Sequence, residues 1–159
     1  MNQLESFDSD RALSRIREFE HVEGALLPIL HSLQDEFGYL DEGAVPLIAD
    51  MLNISKAEVQ GVISFYHDFR RLPAGRHVLK LCRAEACQSM GCDKTISHVE
   101  QSLGVKLGET TPDGDFTLHE VFCLGLCAHS PAAMLDEQPH GRVTPQVADL
   151  LIEGARRRQ

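Results

Sequence analysis

Four cysteines in two short clusters constrain this chain more than any other feature. Four residues separate Cys82 from Cys87, and three separate Cys123 from Cys127. Two cysteine pairs on separate loops can surround one metal centre. Zinc sites usually place two to four residues between paired ligands, whereas an iron-sulfur cluster is held by four thiolates at wider spacings. The spacing alone therefore leaves zinc and iron-sulfur open.

The composition excludes several classes of protein. A chain of 159 residues that is 43% hydrophobic can bury one good core beside a small helical appendage. The net charge of -9 and the pI near 5.3 argue against nucleic acid as the main partner. No stretch approaches the roughly 20 apolar residues of a membrane span, so we expect no membrane insertion.

The N-terminal sequence and the cysteine count favour a reducing compartment. The first ten residues, MNQLESFDSD, are acidic and polar, which is the reverse of a secretory signal peptide. We therefore expect a cytoplasmic location. Cysteines there are more often metal-binding or catalytic than disulfide-bonded, and the odd total of five fits a disulfide framework poorly.

Apolar residues at helical spacing predict four short helices within residues 9–69. The first runs from Ser9, as the N-cap, to about Glu20, and the second covers Gly24–Phe37 with Gly38 to end it. The third begins near Asp41. The fourth opens on a capping box formed by Ser55 and Glu58. These helices predict a small bundle.

The stretch RLPAG at residues 71–75 breaks the helical period and predicts a boundary between two domains, 1–72 and 73–159. Beyond it, alternating residues predict strands that run into Cys82 and Cys123, so both clusters should meet at one edge of a small α/β fold. The other elements expected are a helix over Met90–Leu103, short strands at Val105–Leu107 and Ala132–Leu135, a turn at Pro139–Arg142 and a final helix opening at Thr144–Pro145.

Several residues near the clusters have competing interpretations. Cys92 is interpreted as a packing residue in a helix, with an auxiliary ligand as the alternative. His129 is interpreted as a surface loop residue, since a Rieske centre would need a second histidine. Arg83 and Glu85 form an ion pair or are solvated, with contact to an electron-exchange partner as the alternative. Gly125 should let backbone N–H groups approach the sulfurs.

Templates for other enzymes are absent from the sequence. It has no phosphate-cradling glycine loop, no G-x-S-x-G and no His-Glu-x-x-His. The carboxylates form no obvious pair. We therefore expect no catalytic residue in this chain.

Three long strings resemble the thioredoxin-like 2Fe-2S ferredoxin family: GALLPILHSLQDEFGYL, EVQGVISFYHDFRRLPAGRHVLKLCRAEACQSMG and VFCLGLCAHSPAAMLDEQPHGRVTP. That family includes the small iron-sulfur subunit of respiratory complex I and its relatives in NAD-reducing hydrogenases and NAD-dependent formate dehydrogenases. The resemblance implies an α/β, thioredoxin-like 2Fe-2S domain preceded by a small N-terminal helical bundle. It also implies that one 2Fe-2S cluster is held by Cys82, Cys87, Cys123 and Cys127.

The first cysteine loop refines this resemblance. Residues 83–86 read Arg-Ala-Glu-Ala, where complex I and hydrogenase members usually carry a Gly-Thr type of loop. This variant resembles the gamma subunit of soluble, molybdenum-containing, NAD-dependent formate dehydrogenases. It implies an electron-transfer subunit of an oxidoreductase complex, with no substrate turnover by this chain alone.

The same resemblance implies two kinds of partner: a subunit that binds FMN, NAD and a further iron-sulfur cluster, and a molybdenum subunit that oxidises formate. The chain would exchange single electrons with the flavin-bearing subunit. One alternative is the equivalent subunit of respiratory complex I or of an NAD-reducing hydrogenase. An alternative of a different class is a zinc-stabilised interaction module.

Overall fold

A computed structural model describes residues 7–158. The chain divides into two compact units, Met1–Pro73 and Ala74–Gln159. The assignment of residues 1–72 and 73–159 as two domains stays a prediction about independent folding. None of the helices within residues 7–158 is long and apolar enough to cross a membrane.

The first unit contains four helices, as expected, and their apolar faces share one core. The helices are α1 (Ser9–Arg17), α2 (Leu26–Phe37), α3 (Ala44–Leu52) and α4 (Lys56–Phe65). Core side chains that are at most 1% exposed come from all four helices: Ala12, Ile16, Ile29, Leu30, Leu33, Ile48 and Val59. Burial of such apolar side chains is the main force that holds short helices together.

The ends of these helices confirm two predictions and correct two. Gly38 ends α2 with a φ of 79°, and Ser55 and Glu58 form the expected capping box at the start of α4. The expected Ser9 cap is wrong. The carboxylate of Asp8 accepts hydrogen bonds from the N–H groups of Asp10 and Arg11. Ser9 is therefore the first helical residue, and α1 ends at Arg17 instead of near Glu20.

The second unit combines a four-stranded sheet with three helices. Its elements are β1 (His77–Cys82), α5 (Glu85–Ser89), α6 (Cys92–Leu103), β2 (Phe116–Val121), β3 (Ala133–Leu135), β4 (Gln138–His140) and α7 (Pro145–Arg156), with a 3-10 turn at Cys127–His129. The strand order is β2-β1-β3-β4. Strands β1 and β2 are parallel, and the other two pairings are antiparallel.

The core of this unit lies between the sheet and the pair of helices α6 and α7. Alternate residues of β1 and β2 face it, including Leu79, Leu81, Phe116 and Leu118. The helices contribute Ile96, Val99, Ala148, Ile152 and Ala155 to the same cluster. Thr144 caps α7 by accepting from the N–H of Val147, and Pro145 is its first residue, as expected.

Three expectations for this unit are wrong. The helix predicted from Met90 starts at Cys92, because Gly91 has a φ of 80° and separates it from the short helix α5. Residues 105–107 form no strand. The N–H groups of Lys106 and Leu107 donate instead to side chains of Glu109 and Glu100.

The third correction concerns the C-terminal hairpin. The turn expected at Pro139–Arg142 falls largely on strand β4 (Gln138–His140). The chain reverses earlier, at residues 136–137, between β3 and β4, and Asp136 has a φ of 55° there. A β4 of three residues is too short to show alternation in the sequence.

Candidate metal centre

The parallel pairing of β1 and β2 places both cysteine clusters at one edge of the sheet. Cys82 is the last residue of β1 and lies opposite Val121, the last residue of β2. Cys123 follows two residues later. Because parallel strands end at the same edge, the two cysteine loops leave the sheet side by side. This confirms the prediction that the clusters meet there.

The sulfur of Cys82 is where the two loops meet. It accepts hydrogen bonds from the backbone N–H of Ala84 in its own loop and from those of Cys123 and Leu124 in the other loop. Cys82 and Cys87 are buried, at 3% and 2% exposed, whereas Cys123 and Cys127 are exposed. The centre therefore has one buried side and one side open to solvent.

The four sulfurs are arranged as two pairs. The Sγ atoms of Cys123 and Cys127 are 3.6 Å apart, and the thiols of Cys82 and Cys87 are hydrogen-bonded to each other. Two sulfurs on one tetrahedral metal, with metal–sulfur bonds of about 2.3 Å, are about 3.8 Å apart. Within residues 7–158, no group of three or more His, Cys, Asp or Glu side chains is already arranged to hold a metal ion.

The environment of Cys82 favours its thiolate. Burial by itself raises the pKa of this thiol. Hydrogen bonds nevertheless bring the pKa below its ordinary value; they come from the N–H of Ala84, the Cys87 thiol and the N–H groups of Cys123 and Leu124. The thiolate is the form of cysteine that binds metal. Cys82 is therefore prepared to act as a ligand.

The other thiols of the pairs have raised pKa values. Burial is the main cause at Cys87, followed by its hydrogen bond with Cys82. At Cys127 the neighbouring Cys123 thiol is the main cause. Metal binding at these cysteines requires that the thiol protons leave.

Gly125 brings a backbone donor to the second loop. Its φ is 74°, a conformation that glycine adopts at no steric cost. Its N–H donates to Cys123 Sγ at 3.4 Å. This is the role expected for Gly125 from the sequence. The donors at Cys82 and Cys123 make the centre suitable for an anionic metal–sulfur cluster, since buried negative charge needs hydrogen-bond donors.

The remaining candidate residues lie around the cysteines without joining them. Cys92 is the first residue of α6, is 2% exposed and belongs to the apolar core, which agrees with the packing interpretation. His129 is exposed in the 3-10 turn, and Glu85 is exposed in α5. Arg83 forms an ion pair with Glu120, at 2.7 Å from Nη1 to Oε2.

One residue at the centre, Ser130, is not indicated by any sequence pattern. Its hydroxyl lies 3.7 Å from Cys87 Sγ and 2.7 Å from the carbonyl oxygen of Cys127. Ser130 is separated from Cys87 by 43 positions in the sequence. A serine before a proline is typical of loops, so no local pattern could have revealed this contact.

The family model of thioredoxin-like 2Fe-2S ferredoxins matches residues 12–156. The chain is 36% identical over 138 residues to an NADH-quinone oxidoreductase subunit of Pseudomonas aeruginosa, which covers 87% of this chain and 83% of that protein. It is 37% identical over 139 residues to NADP-reducing hydrogenase subunit HndA of Solidesulfovibrio fructosivorans, which covers 87% and 81%. It is 34% identical over 151 residues to the NADH-quinone oxidoreductase subunit of Escherichia coli K12, a match that covers 95% of this chain and 91% of that protein.

Solved structures show the same fold. A NAD+-reducing NiFe-hydrogenase in the air-oxidised state superposes with a TM-score of 0.72 over 84% of this chain, at 24% identity. This chain spans 23% of that hydrogenase chain, somewhat under a quarter of its length. The likeness therefore concerns the fold alone.

These comparisons agree with the expected fold class, an α/β thioredoxin-like domain, and with the expected cofactor, one 2Fe-2S cluster. The cysteine pairs and the surrounding N–H donors fit that cofactor, because a 2Fe-2S cluster takes four cysteine thiolates in total, two on each iron. The match over residues 12–156 and the identity to the Pseudomonas aeruginosa subunit over 87% of the chain show that the protein belongs to the thioredoxin-like 2Fe-2S ferredoxin family.

Proposed function

We propose that the chain is the electron-transfer subunit of an NAD-dependent formate dehydrogenase complex, with Cys82, Cys87, Cys123 and Cys127 as the ligands of its 2Fe-2S cluster. The observation that carries the proposal is the arrangement of the four thiols as two pairs where β1 and β2 end. When bound, such a cluster supplies one-electron chemistry, while the protein supplies ligation and electrostatics.

The residues of this chain account for that role in three ways. The four thiolates hold the metal, and the backbone N–H groups at Cys82 and Cys123 stabilise the negative charge that they bring. The burial of Cys82 and Cys87 excludes water from one side of the centre. The exposure of Cys123 and Cys127 leaves the other side within short reach of a partner.

The formate assignment rests on the first cysteine loop, Arg83–Ala86, which resembles that of formate dehydrogenase gamma subunits. The proposed partners are the subunit that binds FMN, NAD and iron-sulfur clusters and the molybdenum subunit that oxidises formate, in the cytoplasm. A second candidate is the equivalent subunit of an NADH-quinone oxidoreductase or of a hydrogenase. The names of the curated relatives favour this second candidate.

The first experiment determines the iron and acid-labile sulfide of anaerobically purified protein, with EPR before and after reduction by dithionite. We expect about two irons and two sulfides per chain, as in a 2Fe-2S cluster, and an EPR signal only after reduction. If the protein instead contains zinc and no sulfide after attempted reconstitution of the cluster, the proposal is contradicted. The zinc-stabilised interaction module is then the remaining interpretation.

The second experiment separates the two candidate complexes. A tagged copy of the chain, expressed in its own organism, is purified with its partners. Formate-dependent reduction of NAD together with bound molybdenum is expected for a formate dehydrogenase. Quinone reduction by NADH, or reduction of NAD by hydrogen, would replace the formate assignment with the second candidate.

The surface beside the ligands yields a prediction about the flavin-bearing partner. Phe122 directly precedes Cys123 and is 69% exposed, and an exposed aromatic side chain is a frequent anchor of an interface. We expect Phe122→Ala to weaken binding of that partner about tenfold or more, which corresponds to about 1.4 kcal/mol. Binding is measured with the purified partner, and iron and sulfide content should be unchanged.

Leu150→Ala is the matched control for this prediction. Leu150 is 67% exposed but lies on α7, outside the cysteine loops. Leu150→Ala should leave the affinity for the flavin-bearing partner within about twofold of that of the unaltered chain, since exposed side chains outside an interface contribute little. An equal loss in both variants, or no loss at Phe122→Ala, would show that the partner does not contact the surface at Cys123.

A further inference from the structure

The hydroxyl of Ser130 lies between two of the proposed ligand segments. Oγ donates a hydrogen bond to the carbonyl oxygen of Cys127 at 2.7 Å, and it lies 3.7 Å from Cys87 Sγ. Ser130 is buried, at 9% exposed. A buried polar side-chain group nearly always has a hydrogen-bond partner, and the partner that accepts from the Ser130 hydroxyl is the carbonyl oxygen of Cys127.

The contact between Ser130 and Cys87 has to change direction when Cys87 becomes a ligand. In the structure the Cys87 thiol donates to Ser130 Oγ. A thiolate ligand has no hydrogen to donate, whereas a serine hydroxyl carries one hydrogen and can also accept. The contact with the thiolate can therefore persist only if the hydroxyl of Ser130 is the donor. The same hydrogen has two acceptors within reach, Cys127 O and Cys87 Sγ.

The hydroxyl of Ser130 is a side-chain group in hydrogen-bond contact with Cys87 Sγ. The backbone N–H of Ala132 also hydrogen-bonds to this sulfur. Because backbone donors are unchanged when a side chain is replaced, substitution of Ser130 removes one donor at Cys87 and leaves the other in place.

We propose that Ser130 sets the reduction potential of the cluster by donating its hydroxyl hydrogen to Cys87 Sγ. Ligand sulfurs carry more negative charge in the reduced state, and hydrogen bonds to them favour that state, which raises the potential. Ser130 keeps its proton throughout, and only the acceptor of its hydrogen bond changes. Ser130 is in this sense a positioning residue that acts through Cys87. The inference rests on the proposed ligand set.

The test is a redox titration of the full-length Ser130→Ala variant, monitored by EPR during stepwise addition of dithionite. Its midpoint potential should be more negative than that of the unaltered chain. Ser130→Thr keeps the hydroxyl and should restore the potential most of the way. Ser130→Gly removes the same donor and leaves no methyl group. It replaces Ser130→Ala in the titration if Ser130→Ala does not bind iron and sulfide in full.

Ser89→Ala is the matched control. The hydroxyl of Ser89 donates to the carbonyl oxygen of Ala86, at 2.9 Å, close to Cys87 in sequence. The same chemical change there should leave the potential unaltered. A fully loaded Ser130→Ala or Ser130→Gly variant with the potential of the unaltered chain would overturn the inference, as would an equal shift in Ser89→Ala.

A spectroscopic readout separates hydrogen bonding from a general effect on structure. After exchange into heavy water and reduction, pulsed ENDOR should detect a deuteron coupled to the cluster. The signal of this deuteron should persist in Ser130→Thr and be lost in Ser130→Ala and Ser130→Gly. Retention of this deuteron in a donor-free variant would contradict the role of Ser130. Failure of the proposed cluster and its ligand set is distinguishable, because it would appear as protein without sulfide in every variant.

Discussion

Replacement of Cys82 by serine should abolish assembly of the cluster, leaving less than about a tenth of the iron and sulfide of the unaltered chain. Iron-sulfur clusters are held by cysteine thiolates, and a serine hydroxyl is a harder ligand that ionises far less readily. Cys82 is also the sulfur at which both loops converge, through N–H groups of Ala84, Cys123 and Leu124. Metal and sulfide analysis, visible absorption and EPR after reduction measure the loss.

Cys92→Ser is the matched control for Cys82→Ser, because it makes the same chemical change at a cysteine that is equally buried, at 2% exposed. Cys92 packs in the core at the start of α6, outside the two pairs. We expect full iron and sulfide content there, with a modest loss of stability from the buried hydroxyl. A complete, spectroscopically unchanged cluster in Cys82→Ser would refute its assignment as a ligand.

The part of the fold that can be predicted from the sequence is the part dictated by local patterns. The capping box at Ser55 and the glycine after Phe37 act within one turn of a helix, and both are confirmed. The strands before Cys82 and Cys123 alternate apolar with polar residues, since one face of the sheet is covered by α6 and α7. Both strands are therefore predictable close to their observed bounds.

The differences between the predicted and the observed elements occur where an element is very short or where side chains bind the backbone N–H groups. Helix α5 has five residues and β4 has three, too few for a period to be visible. Val105–Leu107 has the composition of a strand, but Glu100 and Glu109 accept the hydrogen bonds of Lys106 and Leu107 that a neighbouring strand would receive. At Val105–Leu107, hydrogen bonds from the backbone to nearby side chains therefore take the place of strand pairing.

The candidate site divides in the same way. The four cysteines can be proposed as ligands from the sequence because their spacing and their place after strands are local properties. The donors that surround them belong to other parts of the chain: Leu124 reaches Cys82, and Ser130 reaches Cys87 across the unit. Hydrogen bonds of this kind depend on the fold and leave no pattern in the sequence. The proposed ligand set can therefore be derived from local sequence patterns, whereas the hydrogen-bond donors around it cannot.

Phe116→Ala should be the most destabilising single change in the unit Ala74–Gln159, at about 3–5 kcal/mol. Phe116 is 0% exposed and is the largest fully buried side chain in the described structure. Its ring lies 5.3 Å from the ring of His77, between centroids, and Arg156 Cζ lies 5.7 Å above it. Truncation leaves a cavity beneath both contacts. Phe116→Leu keeps most of the volume and should cost less than about 1.5 kcal/mol.

Urea unfolding followed with two probes measures the loss of stability of the unit Ala74–Gln159 separately from that of the unit Met1–Pro73. Both tyrosines, Tyr39 and Tyr66, belong to the unit Met1–Pro73 and the sequence has no tryptophan, so tyrosine fluorescence reports on that unit. Visible absorption of the cluster reports on the unit Ala74–Gln159.

The visible transition should move to lower urea in Phe116→Ala and stay unchanged in Phe65→Ala, whose ring is 74% exposed. Equal shifts of the visible transition in these two variants would contradict a core role for Phe116. A tyrosine transition that does not move in Phe116→Ala would support independent folding of the two predicted domains, because destabilisation would then be confined to the unit that lost the ring.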